Sequence, residues 1–190
     1  MLAAQMRYAQ QLCVLRALQG FQLRFEDFMQ EVLVSLKQWF PNRNIDDPND
    51  FLWCCDASGD QEQATGASEV KILRRVFNIR PKFKKVRIPP TIDIVRGFMS
   101  RTYRGEPCFL VDNNPTTSLL VDGLNGGYAY PLGEINEDTT PVKDNHHDHQ
   151  QDILRYLAVN FGGAPQRSAN KAMFDRIASV DILQRQTYAY

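Results

Sequence analysis

The sequence predicts an α/β fold, a mixed sheet flanked by helices. Two observations carry that expectation. Short apolar runs ending in turn residues alternate with longer segments whose apolar residues recur at helical spacing. The alternation continues through most of the chain with no internal repeat and no low-complexity tract, as in a sheet with some parallel pairing. The 190 residues are enough for one domain with a sizeable core. The 43% hydrophobic and 23% charged residues are ordinary for a globular protein.

Taken in order, Cys13–Leu18, closed by Gln19 and Gly20, reads as a strand. Arg24–Phe40 is the clearest helix: Phe25, Phe28, Met29, Val32, Leu33, Leu36, Trp39 and Phe40 form one apolar stripe, and Pro41 stops it. A turn rich in Asn, Asp and Pro leads to a buried strand, Phe51–Cys55, with Asp56 at its C-terminal tip. Ser68 opens a helix over Glu69–Phe77. Lys85–Ile88 is expected as a short strand, and Thr91 as the cap of a helix with Ile92, Val95, Phe98 and Met99 inward. Cys108–Val111 is another buried strand, ending in Asp112-Asn-Asn-Pro115. A helix over Thr116–Leu124 is stopped by Asn125-Gly-Gly127, and Tyr128–Tyr130 reads as a short strand. After a polar loop, His147–Phe161 forms an amphipathic helix, and Ser168–Gln184 a last one.

Composition narrows the setting. No apolar run is long enough to cross a membrane, and the first residues lack a secretory signal. Cys13, Cys54, Cys55 and Cys108 show no CxxC spacing and are expected as reduced thiols in an intracellular protein. There is no GxxxxGK[ST] loop, GxSxG elbow or GxGxxG turn. Net charge is zero, with 22 basic and 22 acidic residues. The balance conceals a segregation: Lys71, Arg74, Arg75, Arg80, Lys82, Lys84, Lys85 and Arg87 follow one another with no acid between them. Acids crowd around Asp46–Glu62 and Glu134–Asp152. A basic stretch beside an acidic pocket suits a polyanion gripped in one place and acted on in another. A plain solvated face is the alternative.

The candidate site residues follow. Asp56 stands at a strand end and Asp152 at the edge of the apolar face of a late helix, where a carboxylate needs a partner or a metal. Asp148 lies one turn before Asp152, as an auxiliary ligand or a charge favouring the helix dipole. His149, also a turn before Asp152, is a candidate to contact phosphate or hold a water. Asp112 either faces the same cleft or serves its turn. The cluster His146, His147 and His149 has neither a cysteine pair nor an HExxH motif to support zinc. Arg74, Arg75, Arg80, Lys82, Lys84, Lys85 and Arg87 are the candidates to grip the phosphates of a polyanion.

Several motifs, in order and spacing, resemble the C-terminal nuclease domain of the large terminase subunit of tailed bacteriophages. Trp53-Cys-Cys-Asp56-Ala-Ser-Gly59 is similar to that family's strand ending in Asp-Pro-Ala-Gly, with Ala57 in place of proline. Phe109-Leu-Val-Asp112 and Leu119–Tyr130 resemble the approach to its Gly-Gly-Tyr hairpin. Pro141-Val-Lys143 and His149-Gln-Gln-Asp152-Ile-Leu-Arg-Tyr156 resemble its final His-x-x-Asp-Ala-Leu-Arg-Tyr helix.

The resemblance implies an RNase H-like domain over residues 1–163, without its first strand, and a helical tail over 164–190. It implies a metal-dependent endonuclease that cuts concatemeric viral DNA during packaging with two Mg²⁺ or Mn²⁺ ions. Asp56 matches the second of the family's three metal-binding acids and Asp152 the last. The first would fall upstream of Met1. Implied partners are double-stranded DNA, an upstream ATPase motor domain, the small terminase subunit and the portal, with no membrane, in the cytoplasm of a cell hosting a phage or prophage. Two other readings stay open: another RNase H-like enzyme such as a resolvase or transposase core, and a catalytically incomplete module that binds DNA or the packaging complex passively.

Overall fold

The computed structural model describes residues 1–7, 11–60, 67–133, 136 and 139–161. The expected C-terminal helix and the 164–190 tail lie outside the described residues. The protein is a mixed α/β structure with a small mixed sheet flanked by helices.

Strand β1 (Leu2–Arg7) runs antiparallel to β2 (Gln11–Ala17), with a register irregularity at Ala3/Ala4. Strand β5 (Phe109–Val111) lies parallel to β2 on its other edge, pairing Leu12 with Phe109 and Val14 with Val111. The connection from β2 to β5 contains helices α1 (Phe25–Trp39), α2 (Glu69–Val76) and α3 (Ile88–Ser100). It also contains a hairpin of β3 (Thr102–Tyr103) and β4 (Glu106–Pro107). Helix α4 (Ser118–Asp122) continues into a wide π turn over Gly123–Gly127, and α5 (Asp148–Phe161) closes the described chain.

The sheet is covered on both faces. Along β1, Leu2, Ala4 and Met6 face the cluster made with Val95 and Phe98 of α3 and Leu154, Leu157 and Ala158 of α5. Ala3 faces the second cluster, built on Met29, Val32 and Leu36 of α1 with Leu73 of α2, Ile45 and Ile79. The period-two alternation of a strand thus assigns successive residues to two cores. In α1 the acids Glu26 and Asp27 in the first turn and Lys37 in the last complement the helix dipole.

Most expected elements form, and four differ. Among the described residues Phe51–Cys55 makes a single bridge, Cys54 with Lys82, through Lys82 N–H to the Trp53 carbonyl (2.8 Å) and Cys55 N–H to the Lys82 carbonyl (3.1 Å). The expected strand at Lys85–Ile88 is absent because α3 begins at Ile88, with prolines in its first turn, where the missing amide costs nothing. Thr91 is therefore inside the helix, its hydroxyl donating to the Ile88 carbonyl at 2.5 Å. Among the described residues Tyr128–Tyr130 has no strand partner, although Val142 N–H reaches the Ala129 carbonyl (2.9 Å). The β3–β4 hairpin was not expected from sequence. Its turn places Arg104 and Gly105 at φ of 55° and 82°, the paired positive angles of a tight hairpin turn.

All four cysteines are free thiols. Among the described residues no helix is long and apolar enough to cross a membrane.

Candidate active site

Asp56 is carried out of the Cys54–Lys82 bridge into a 3₁₀ turn, Ala57–Asp60, whose Gly59 N–H returns to the Asp56 carbonyl at 3.2 Å. The turn rests against the start of α2. There Ser68 caps the helix by accepting from Lys71 N–H at 3.2 Å, so the expected cap forms. The next residue, Glu69, is half-buried beside Asp56. Burial first, and the Asp56 charge second, hold its carboxyl above the ordinary range.

Helix α5 brings the other half. Asp144 accepts from the backbone N–H groups of His146 (2.9 Å) and His147 (2.8 Å), and holds the His147 ring at Nδ1 (2.6 Å). These bonds, that of His147 first, keep the Asp144 carboxyl far below the usual carboxylate range. Within α5, Asp152 is surrounded by donors. Arg155, one turn on, is ion-paired with it, Lys143 Nζ lies at 3.4 Å and the Tyr128 hydroxyl at 3.5 Å. The partner that a carboxylate in this position needs is therefore supplied by Arg155. Arg155 is only 4% exposed and also donates to Thr91 Oγ1 at 2.9 Å, tying α5 to α3.

Tyr156 joins the two halves. The charges of both Asp56 and Asp152 act on its phenol. Burial, then Asp56, then Asp152 push its phenol far above the ordinary tyrosine value. Asp56 and Asp152, predicted from separate motifs, thus meet at one tyrosine. Asp148 is buried at 1% exposure, and among the described residues nothing bonds its Oδ1. A carboxylate so placed carries a large desolvation cost. His149 is exposed in the first turn of α5.

The basic residues border this locus. Lys82 pairs through its backbone with the residues just before Asp56. Two residues on, Lys84 Nζ donates to the Val159 carbonyl near the end of α5 at 3.1 Å. The segment therefore passes from the Asp56 strand to the helix bearing Asp152. Arg80, Lys82, Lys84, Lys85 and Arg87 are exposed along it, as are Arg74 and Arg75 at the end of α2. Asp112 is engaged elsewhere. Arg16 is ion-paired with its carboxylate, and its carbonyl accepts from Thr117 Oγ1 at 2.6 Å, the turn role weighed from sequence.

Carboxylates of this kind suit hard divalent ions. Among the described residues, however, no three His, Cys, Asp or Glu side chains gather closely enough to hold a metal. Asp56 and Asp152 alone do not make a two-ion site. Tyr156, Arg155, Tyr128, Lys143 and Glu69 complete the locus. Arg155 and Tyr156 were visible in the quoted helix motif, whereas Glu69 carried no signal beyond its place after a cap.

No family model, curated protein or solved structure matches this chain.

Proposed function

We propose that this chain is a nuclease domain of the terminase kind, with an RNase H-like sheet, whose Asp56 and Asp152 are two of the carboxylates of a site that cleaves DNA phosphodiesters. One observation carries this reading: Asp56 and Asp152 come from distant parts of the chain, converge on Tyr156, and are bordered by the basic segment from Arg80 to Arg87. An antiparallel strand pair whose inner strand takes a parallel neighbour after a helical connection is compatible with the proposed scaffold. Two Mg²⁺ or Mn²⁺ ions would supply an activated water and stabilise the leaving oxygen. The described residues do not complete their ligand set, so a further carboxylate has to join Asp56 and Asp152. The substrate is double-stranded DNA. The ATPase motor, small subunit and portal are the partners this reading carries.

A specific observation favours a second reading, a module that binds DNA without cutting it. Arg155 and Lys143 already neutralise Asp152. The experiment is plasmid cleavage with Mn²⁺, comparing the chain with Asp56→Ala and Asp152→Ala, and with a form extended upstream in its reading frame. Cleavage by either form that both substitutions abolish supports the nuclease reading. Salt-sensitive DNA binding without cleavage in every form supports the binding module.

A further inference from the structure

Beside the carboxylates lies a pocket of about 140 Å³ between α3, the π turn and α5. Its walls include Arg96 and Met99 of α3, Leu124 of the turn, Tyr128 and Tyr130, and Arg155 of α5. The pocket and the carboxylate site share two wall residues. Tyr128 reaches Asp152 with its hydroxyl at 3.5 Å, and Arg155 is ion-paired with the same carboxylate.

Two features define what would fit. First, the Arg96 guanidinium lies over the Tyr130 ring, 5.7 Å from its centroid. A cation over an aromatic face, beside apolar walls, offers a surface on which a further flat ring can lie. Second, the pocket is not an anion hole. Arg155 is balanced by Asp152, and Arg96 faces Asp93 at 3.6 Å. Aromatic and aliphatic walls without spare charge suit a neutral planar heterocycle.

We infer that this pocket receives an unpaired nucleobase from the strand whose phosphate lies at Asp56 and Asp152. This rests on the nucleic-acid reading above and adds to it a site for a base that is already unpaired, in a single-stranded stretch. Lys143, 62% exposed and beside Asp152, is placed to meet the adjoining phosphate.

The test uses the whole chain, in EDTA, with oligonucleotides carrying one 2-aminopurine. Binding is followed by anisotropy of a separate terminal dye. In a single strand, 2-aminopurine emission changes on binding as the base stacks in the pocket. In a fully paired duplex it stays constant although the duplex binds. Tyr130→Ala lowers single-strand affinity about tenfold, within the range for losing one stacked base, and leaves duplex affinity unchanged. Tyr130→Phe retains the wild-type value. Arg96→Gln, at a side chain 60% exposed and safe for folding, weakens single-strand binding in the same direction. If DNA binds but 2-aminopurine does not respond, or Tyr130→Ala and Arg96→Gln bind single strands as the wild type does, the base pocket is wrong and the nucleic-acid reading survives. If neither single strand nor duplex binds, both fall together.

Discussion

The half-buried Tyr156 phenol lies in the field of the Asp56 carboxylate, relating a residue just after an isolated bridge to one in the middle of α5. Asp152 acts on the same phenol. Tyr156→Phe removes the hydroxyl and keeps the ring. The expected loss is about 1 kcal/mol, a melting temperature lower by roughly 2–4 °C for a domain of this size. A calorimetric melt checks it, and an unchanged melting temperature would show the hydroxyl to be idle.

Arg155 holds Asp152 and Thr91 together from a nearly buried position. Arg155→Met leaves Asp152, whose side chain is 14% exposed, short of its main counter-charge. Breaking a buried pair from one side costs about 3–5 kcal/mol. Urea unfolding is expected to show a lower midpoint of that order. Arg155→Lys recovers only part of it, because an ammonium cannot span two acceptors as a guanidinium fork does.

Two glycines give opposite predictions. A Cβ at Gly123 would lie 2.4 Å from Gln151 Nε2. Gln151 cannot swing aside freely, being 4% exposed and bonded to the Leu120 carbonyl at 2.9 Å. Gly123→Ala is expected to destabilise by about 1–3 kcal/mol through overpacking. At Gly97, inside α3, an added Cβ meets nothing within 4 Å. Gly97→Ala therefore stabilises, by up to about 1 kcal/mol. Chemical denaturation of the pair reads both signs in one experiment.

Asp144 caps the start of α5 and holds His147. Its folded-state pKa is depressed below the ordinary 3.8. Its contribution is thus fully present above that value and is lost as pH falls through the lower folded value. Asp144→Asn is expected to melt below the wild type at pH 7. The gap should narrow only once pH drops under 3.8. A gap constant across that window would remove Asp144 from the account of acid stability.

Lys82 and Lys85 are exposed on the segment beside Asp56. If each meets one phosphate, Lys82→Ala and Lys85→Ala each lower the slope of log affinity against log salt by about 0.9 on duplex DNA. They weaken all sequences alike. Fluorescence anisotropy at several salt concentrations measures this. Unchanged slopes would leave the segment as a solvated face.

Much of the fold was legible because periodicity reports burial directly. The stripe of α1, the apolar run of β5 and the Ser68 cap each announce themselves locally. Phe51–Cys55 shows where that logic stops. Its apolar run reads as a strand, but a strand also needs a partner along its length, and among the described residues this one finds a single bridge, to Lys82. The Pro89-Pro90 pair follows the expected strand at Lys85–Ile88 and belongs to the first turn of α3, since proline is disfavoured within a helix and favoured at its start.

By itself, the sequence determined the alternation of elements, the segregation of basic from acidic residues, and Asp56 and Asp152 as carboxylates set after an apolar run and at the edge of a helix's apolar face. Those are properties of neighbours along the chain. Only the tertiary structure decided that these two meet at Tyr156, that Arg155 neutralises Asp152 while tying α5 to α3, and that Tyr128 and Tyr130 line a pocket next to them. The reason is physical: hydrophobic burial fixes which face of each element turns inward without direction of its own. Which polar groups then come within hydrogen-bond reach depends on how those faces pack.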